Sequence, residues 1–266
     1  MKKLSFLVPL GALFLTTGFA GAQSNLAGTW KVDMNKVDFS KKPDVYVVQG
    51  GMYECKTCTP PIKVKADGTD QAVSGIPYLD TMAIKIVSDH ELQETDKKGG
   101  KVVGTSTTKM SADGKTVMFS FTDSSNTNGG PPVTGKGEAV RVAPGPAGSN
   151  PILSGSFRTI KMEGLSDNAI KWTYKVNGDE ITMTNPTGQS YTAKLGGGDA
   201  PMKGDPGVTS VSVKMLDKNT FEETDKRDGQ VLSVFKLVVA ADGKTAKASA
   251  YDKRSDRTTD FDAVKQ

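Results

Sequence analysis

The stretch Glu94-Thr-Asp-Lys97, followed by Ala112-Asp-Gly-Lys-Thr116, returns 129 residues later as Glu223-Thr-Asp-Lys226 and Ala241-Asp-Gly-Lys-Thr245. A Gly-x-Pro triplet that begins at residue 75 also has its counterpart at this offset. An internal repeat has to be recognised before a fold class is assigned, because it defines the unit that folds. Three ungapped matches in the same order indicate that the chain is a duplication.

The two copies can be bounded from the sequence. The first is predicted at residues 26–142 and the second at residues 153–266. Between them, residues 143–152 begin Ala-Pro-Gly-Pro-Ala-Gly and have the composition of a linker. The sequence therefore predicts two domains of similar size, joined by a short Pro/Gly-rich segment.

Apolar residues alternate with polar ones inside each copy, which is the pattern of half-buried strands and not of helices. The clearest run of each copy contains Met82, Ile84 and Ile86 in the first and Val211, Val213 and Met215 in the second. Such runs recur every 8 to 12 residues or so, separated by Asp-Gly, Gly-Gly and Asn-Gly turns. The sequence predicts an all-β protein of two tandem antiparallel up-and-down β-barrels, with about eight strands each.

The two Ala-Asp-Gly-Lys-Thr turns predict a strand register. Counting outward from each turn gives four facing pairs, two in each copy: Thr108 with Phe119, Ser106 with Phe121, Leu237 with Ala248, and Phe235 with Ala250. The large and small residues change sides between the copies. Opposed side chains share one volume in a close-packed core. The exchange predicts that this face is buried and that the corner is filled, not part of a roomy cavity.

The head of the first copy resembles the Gly-x-Trp signature of lipocalins and their relatives, since it reads Gly28-Thr-Trp30. The whole chain after the N-terminal segment is similar to lipocalin-like bacterial exported proteins. In that family the Trp packs beneath a basic residue of the last strand, a role that the resemblance assigns to Arg141. The second copy departs from the signature, with Gly155-Ser-Phe157 and Lys265 at the matching positions. The resemblance implies calycin-type barrels and binding of a small apolar molecule.

Residues 1–22 have the three parts of a cleavable signal peptide. Lys2 and Lys3 precede an apolar stretch, and Ala20-Gly-Ala22 precedes Gln23 as a small-x-small cleavage site. The apolar stretch is shorter than the roughly 20 residues a spanning helix needs. A periplasmic or secreted location is therefore predicted.

Charge and strand composition argue against two classes of protein, a nucleic-acid-binding protein and an outer-membrane barrel. The net charge of +4 falls to +2 when the two N-terminal lysines are removed, and the remaining charges are interspersed. Nucleic-acid binding needs a basic stripe, which the sequence lacks. An outer-membrane barrel needs an uninterrupted apolar outer band, and runs such as Lys101 to Lys109 do not supply one. The sequence predicts neither a nucleic-acid partner nor a membrane-spanning protein.

Cys55 and Cys58, the two cysteines of the chain, are predicted to form one disulfide in the exported protein. A Cys-x-x-Cys pair can instead be redox-active at a helix N-terminus, or bind a metal together with further ligands. Thr59-Pro-Pro61 follows the pair, and neither helical periodicity nor other cysteines are present. No metal or cofactor site is predicted.

Other polar residues are predicted to be surface features. His90, the single histidine, precedes a strand at a turn. The repeated carboxylates, Glu94 with Asp96 and Glu223 with Asp225, are interpreted as solvated strand ends and not as a catalytic pair. Residues 124–137 form a loop about five residues longer than its counterpart in the second copy. This loop is interpreted as an idle insertion in preference to a binding loop. No catalytic residue is predicted.

These features favour an exported, non-catalytic binding or carrier protein for a small, mainly apolar ligand, whose contact residues the sequence does not identify. The alternative is a structural or protein-interaction module of the cell envelope with filled barrels and an unspecified partner. An enzymatic function would depend on Cys55 and Cys58 alone. The support for binding comes from the likeness of fold, and a fold does not carry a function with it.

Overall fold

The computed structural model of the protein describes residues 25–266, and the predicted signal peptide at 1–22 lies outside them. The described residues form twenty β-strands, numbered here along the chain, and a short 3-10 helix at Asp167–Ala169. The prediction of an all-β protein is confirmed. No helix within residues 25–266 is long and apolar enough to cross a bilayer.

The strands form two antiparallel sheets of ten strands each. The first barrel consists of β2 (Asp44–Gln49), β3 (Met52–Cys55), β4 (Ile62–Lys65), β5 (Gln71–Ala72), β6 (Thr81–Ser88), β7 (Glu91–Lys98), β8 (Lys101–Met110), β9 (Thr116–Asp123), β10 (Val133–Pro144) and β11 (Gly155–Glu163). The second barrel consists of β1 (Gly28–Asp38), β12 (Lys171–Asn177), β13 (Glu180–Thr184), β14 (Ser190–Lys194), β15 (Ala200–Pro201), β16 (Ser210–Met215), β17 (Thr220–Arg227), β18 (Gln230–Val239), β19 (Thr245–Asp252) and β20 (Arg257–Lys265). The count exceeds the predicted eight in part because β5 and β15, of two residues each, are too short to show alternation.

Each sheet curls until its two edges meet, which makes it a nearly closed barrel. In the first barrel the Gly68 amide donates to the Ile84 carbonyl across the seam, at 2.8 Å. In the second barrel the Gly196 amide donates to the Val213 carbonyl, also at 2.8 Å. Closure of this kind pairs the backbone groups that an open sheet would leave at its edges.

The first strand of each copy lies in the barrel of the other copy. Strand β1 pairs with β12 and β20, both of the second copy. Strand β11 pairs with β10 and β2, both of the first. The barrels therefore differ from the predicted domains 26–142 and 153–266 by an exchange of one strand. The two slots are equivalent, because Gly28 faces Tyr174 in one barrel as Gly155 faces Tyr46 in the other.

The predicted linker at residues 143–152 is part of a hairpin within the first barrel. Strand β10 extends to Pro144, which pairs with Gly155 at the start of β11. The segments that connect the two barrels are instead the two that follow the exchanged strands, at residues 39–43 and 164–170. Pro/Gly composition predicts a turn correctly, but a turn inside a sheet has the same composition as a tether between domains.

The predicted register of the two Ala-Asp-Gly-Lys-Thr hairpins is confirmed. The structure pairs Thr108 with Phe119 and Ser106 with Phe121 in the first barrel. In the second barrel it pairs Leu237 with Ala248 and Phe235 with Ala250. The prediction that this corner is filled is wrong for the first barrel, where all four side chains line a cavity. In the second barrel only Leu237 and Ala248 are buried in the core, while the other pair lines a cavity.

The loop after β9 joins the two barrels. Asp205 of the second copy accepts hydrogen bonds from Tyr78 Oη and from Asn126 Nδ2, both at 2.9 Å. Asn128 Nδ2 donates to two carbonyl oxygens of the second copy, and Gln189 Nε2 donates to the Asn126 carbonyl at 2.6 Å. The segment interpreted as an idle insertion is therefore an interface between the barrels.

Candidate ligand cavities

Trp30 and a basic side chain mark the closed end of the second barrel. The Trp30 side chain is fully buried, and its indole Nε1 donates to the Leu26 carbonyl at 2.8 Å. Lys265 lies over its ring, with Nζ 4.9 Å from the ring centre. The resemblance assigned this role to Arg141, which instead lies over Phe157, 5.2 Å from its ring centre. The assignment was wrong because the strand exchange moves each aromatic residue beneath the basic residue of the other copy.

The backbone conformation at the start of each exchanged strand requires a glycine. Gly28 has a φ of 129° and Gly155 a φ of 152°, values that residues with a side chain rarely adopt. A Cβ atom at Gly155 would also lie 2.7 Å from the Ala143 carbonyl oxygen. The glycine of the Gly-x-Trp signature is therefore needed in both barrels, whereas the aromatic residue differs between them.

The other end of the second barrel holds an open cavity of about 720 Å³. One wall is an aromatic cluster of Trp172 on β12, Phe235 on β18 and Phe261 on β20. The Trp172 ring stands edge-on to both phenylalanines, with ring centres 5.9 Å and 6.4 Å away. The two phenylalanine rings are stacked at 6.3 Å. The three side chains are only partly buried, since they face an open space and not a packed core.

Two carboxyl groups lie in the wall of this cavity. Glu223 on β17 is 7% exposed, and its Oε2 accepts hydrogen bonds from Tyr191 Oη and from Tyr174 Oη, the latter at 3.3 Å. Asp225, two residues along the strand, accepts from Ser233 Oγ at 2.7 Å through Oδ2. Burial raises the pKa of Glu223 to about 8 and also raises the pKa of Asp225. The interior therefore contains acidic groups that hold a proton more tightly than carboxyl groups in water do.

The charged groups at the rim of the cavity are engaged with one another. Arg257 donates to Asp44 Oδ1 at 2.6 Å and to the Pro43 carbonyl at 2.8 Å, which also ties the rim to the first barrel. Arg254 pairs with Asp252 at 2.9 Å. The Lys171 ammonium binds Asp167. The cations that line the rim, Lys171 and Arg257, are therefore paired with Asp167 and Asp44 and not with the buried carboxyl groups.

The first barrel contains a smaller cavity of about 390 Å³. Glu94 lies in its wall beside Tyr46 and Tyr53, whose rings are stacked at 6.0 Å. Burial raises the pKa of Glu94 to about 8, and burial is also the largest cause that raises the pKa of Asp96 to about 6. The pair Glu94 and Asp96 thus repeats the arrangement of the second barrel.

The interpretation of the four repeated carboxylates as solvated strand ends was wrong. Glu94 faces Ser106 across the β7–β8 ladder, and Ser106 points into the barrel. A β-bulge between Asp96 and Lys97 shifts the ladder by one residue, and the same bulge occurs between Asp225 and Lys226. The extra residue of each bulge lies on the partner strand, Val103 on β8 and Leu232 on β18, so the bulge does not change the face of the Glu-x-Asp pair. The pairs point inward because they follow the buried residues Leu92 and Phe221 by two and four positions on their own strands.

The aromatic cluster belongs to the second barrel alone. By strand pairing, the positions of Trp172, Phe235 and Phe261 correspond to Asp44, Ser106 and Gly137 in the first barrel. A Cβ atom at Gly137 would lie 2.6 Å from the Met162 sulfur, and it would also clash with the Phe119 ring. In the first barrel the ring of Phe119, on β9, occupies the space that the ring of Phe261, on β20, occupies in the second barrel. The two cavities consequently differ in size and in lining.

The remaining predicted residues lie away from both cavities. Cys55 and Cys58 form the predicted disulfide, with Cα atoms 5.5 Å apart, between the end of β3 and the loop that follows. His90 is on the turn between β6 and β7, where its backbone amide donates to Ser88 Oγ at 3.2 Å. Within residues 25–266 no cluster of His, Cys, Asp or Glu side chains has a geometry that could hold a metal ion.

Sequence reasoning missed the residues that form the cavities, above all Trp172, Tyr46 and Tyr174. The two tyrosines occupy equivalent ladder positions, each facing the first glycine of an exchanged strand. An offset of 128 residues between them, close to the repeat offset, was the available signal. No family model matches the chain, and no curated protein matches it significantly.

Proposed function

We propose that this protein is an exported, non-catalytic binding or carrier protein that takes a small, mainly apolar ligand inside its barrels. The observation that carries the proposal is the cavity of about 720 Å³ at the open end of the second barrel. Small-molecule sites are typically concave, of roughly 300–1,000 Å³, with aromatic walls and a few convergent polar groups. The cluster of Trp172, Phe235 and Phe261 beside Glu223 has this composition.

Export is supported by two further features. The signal-peptide pattern at residues 1–22 supports export of the mature chain from the cytoplasm. The disulfide between Cys55 and Cys58 suits an oxidising compartment such as the periplasm or the extracellular space. The lipocalin resemblance of the Gly28-Thr-Trp30 segment agrees with a carrier role, with Lys265 as the basic residue over the ring. The alternative, an envelope module with filled barrels, is less well supported because both barrels contain cavities.

The test is to purify the mature protein from its native compartment and to record native mass spectra before and after denaturation. A stoichiometric small molecule that is released on denaturation supports the proposal. The refolded protein is then titrated with an environment-sensitive apolar dye. If no molecule is released and no dye binds, the proposal is rejected.

A pair of variants locates the dye. Ala250 lines the cavity opposite Phe235, so Ala250→Trp fills the space and is expected to lower dye affinity roughly tenfold or more. Ser249, the next residue, faces the opposite side of the sheet, so Ser249→Trp is the matched control and leaves the affinity unchanged. Equal dye binding by both variants would place the dye outside this cavity.

A further inference from the structure

The buried carboxyl pair of the second barrel forms no ion pair within the described residues 25–266, and Arg254, which is paired with Asp252, acts on Asp225 only from a greater distance. The outward-facing neighbour Glu222 forms ion pairs with Lys214 and Lys236, at 2.9 Å and 3.8 Å. Within the part of the chain that the structure describes, no Lys or Arg side chain forms an ion pair with Glu223 or Asp225. The hydrogen-bond partners of Glu223 and Asp225 are the hydroxyl groups of Tyr174, Tyr191 and Ser233 and the other carboxyl group of the pair.

Two polar atoms at the cavity wall are also without a partner. Asp225 Oδ1 and Trp172 Nε1 are both buried and accept or donate no hydrogen bond. A buried polar atom without a partner costs free energy, typically about 1–3 kcal/mol, and a charged one costs more. A ligand that donates hydrogen bonds to Asp225 would remove this cost at one of the two atoms.

The aromatic cluster favours the same kind of ligand. The faces of Trp and Phe rings carry negative electrostatic potential and attract cations within about 6 Å, most strongly when water is excluded. Trp172, Phe235 and Phe261 line the same cavity as the carboxyl pair. An aromatic wall next to an acidic floor is complementary to an apolar body that carries a positive charge.

We propose that the second barrel binds an organic cation, a primary or secondary amine attached to a flat apolar body, with the ammonium at Glu223 and Asp225 and the body against the aromatic cluster. This inference rests on the proposed binding function and specifies its ligand class. The first barrel lacks the cluster, since Asp44 and Ser106 replace two of its three rings, and its Asp44 is already paired with Arg257.

Binding of the amine is coupled to a proton. Glu223 faces Asp225 on its own strand, Tyr174 on β12 and Tyr191 on β14, while Arg254 and Asp205 act on Asp225. With its pKa at about 8, the Glu223 carboxyl is protonated at neutral pH before the ligand enters. An arriving ammonium favours the carboxylate, so Glu223 releases its proton to solvent as the ion pair forms. The charge of the site then stays balanced.

The test uses three probes with the same indole body: tryptamine, a cation; tryptophol, which is neutral; and indole-3-acetate, an anion. Isothermal titration of the mature protein at pH 7 is expected to give a Kd for tryptamine that is lower than that for tryptophol by roughly tenfold or more, and a still weaker Kd for indole-3-acetate. Tryptamine titrations in two buffers of different ionisation enthalpy are expected to show net proton release.

Variants assign the preference to the carboxyl pair. In the double variant Glu223→Gln, Asp225→Asn the preference for tryptamine over tryptophol disappears, whereas tryptophol still binds. Glu222→Gln, which removes a carboxylate from the outward face of the same strand, is the matched control and retains the preference. Equal affinity of the unmodified protein for all three probes, a preference for the anion, or a preference that survives in the double variant overturns the amine assignment.

The outcome for the neutral probe separates this inference from the proposed function. If tryptophol or the apolar dye binds without any preference for the amine, the inference is wrong and the carrier function stands. If neither the dye nor any of the three indole probes binds, both are wrong. Should the double variant fail to fold, the order of the three affinities and the proton release of the unmodified protein decide the result.

Discussion

Glu223→Gln is expected to make the protein more stable at alkaline pH. The pKa of Glu223 is about 8 in the folded protein and about 4.5 in an exposed carboxyl group. Between these values the folded state holds a proton that the unfolded state has released, so the free energy of unfolding falls as pH rises. One pKa unit corresponds to about 1.4 kcal/mol, so the full loss is on the order of 5 kcal/mol above pH 8 and about 3 kcal/mol at pH 7.

Glutamine keeps the shape of the side chain and its hydrogen-bond acceptor but does not titrate. Its oxygen can still accept from Tyr191 and Tyr174, and its amide can donate towards Asp225, whose Oδ1 has no partner. The variant should therefore differ little from the unmodified protein near pH 4.5, where the carboxyl is protonated in the folded state and about half protonated in the unfolded state. The difference should grow with pH and level off above about pH 8.

The measurement is urea unfolding of both proteins at a series of pH values from about 4.5 to 9. Glu222→Gln is the matched control, since this outward-facing neighbour loses only its ion pairs with Lys214 and Lys236, with an expected cost below about 1 kcal/mol. Parallel curves for the unmodified protein and Glu223→Gln would refute the reasoning, because they would mean that Glu223 titrates normally in the folded state.

Two further predictions concern the strand exchange. Thr29 Oγ1 and Thr173 Oγ1 are 2.8 Å apart across β1 and β12, so the double variant Thr29→Cys, Thr173→Cys should form a disulfide, detected by peptide mapping. Val45 in the first barrel holds the position equivalent to Thr173. The double variant Thr29→Cys, Val45→Cys should therefore form no disulfide. A disulfide in this variant and none in the other would place β1 in the barrel of its own copy. Lys265→Met removes the cation over the buried indole, at a cost of roughly 1–2 kcal/mol, and should change the near-ultraviolet circular dichroism of that ring. Arg141→Met should leave the indole signal unchanged, and a change there would contradict the exchange.

The local features of the fold could be predicted because they depend on neighbouring residues. Period-2 alternation identified the strands, and the register of the Ala-Asp-Gly-Lys-Thr hairpins followed from the turn alone. The repeat identified two equivalent barrels. The Cys55–Cys58 disulfide could be predicted from its spacing and the predicted compartment.

The strand exchange could not be predicted, because β1 and β11 fit the same slot. Gly28 and Gly155 face equivalent tyrosines, and each aromatic residue of the signature meets a basic side chain in either arrangement. A sequence that is locally compatible with both pairings cannot distinguish them. Only the path of the connecting segments and the contacts between the barrels select one.

The sequence by itself determined strands, hairpins, the repeat and the chemical identity of the Glu-x-Asp pairs. Alternation from the buried residues Leu92 and Phe221 already places those pairs on the inward face of their strands. The tertiary structure alone decided what lies opposite that face. Closure of the second barrel brings Tyr174 and Tyr191, from distant strands, onto Glu223, and it leaves an open cavity there in place of a packed core. Such contacts depend on residues far apart in the chain, which local alternation does not specify.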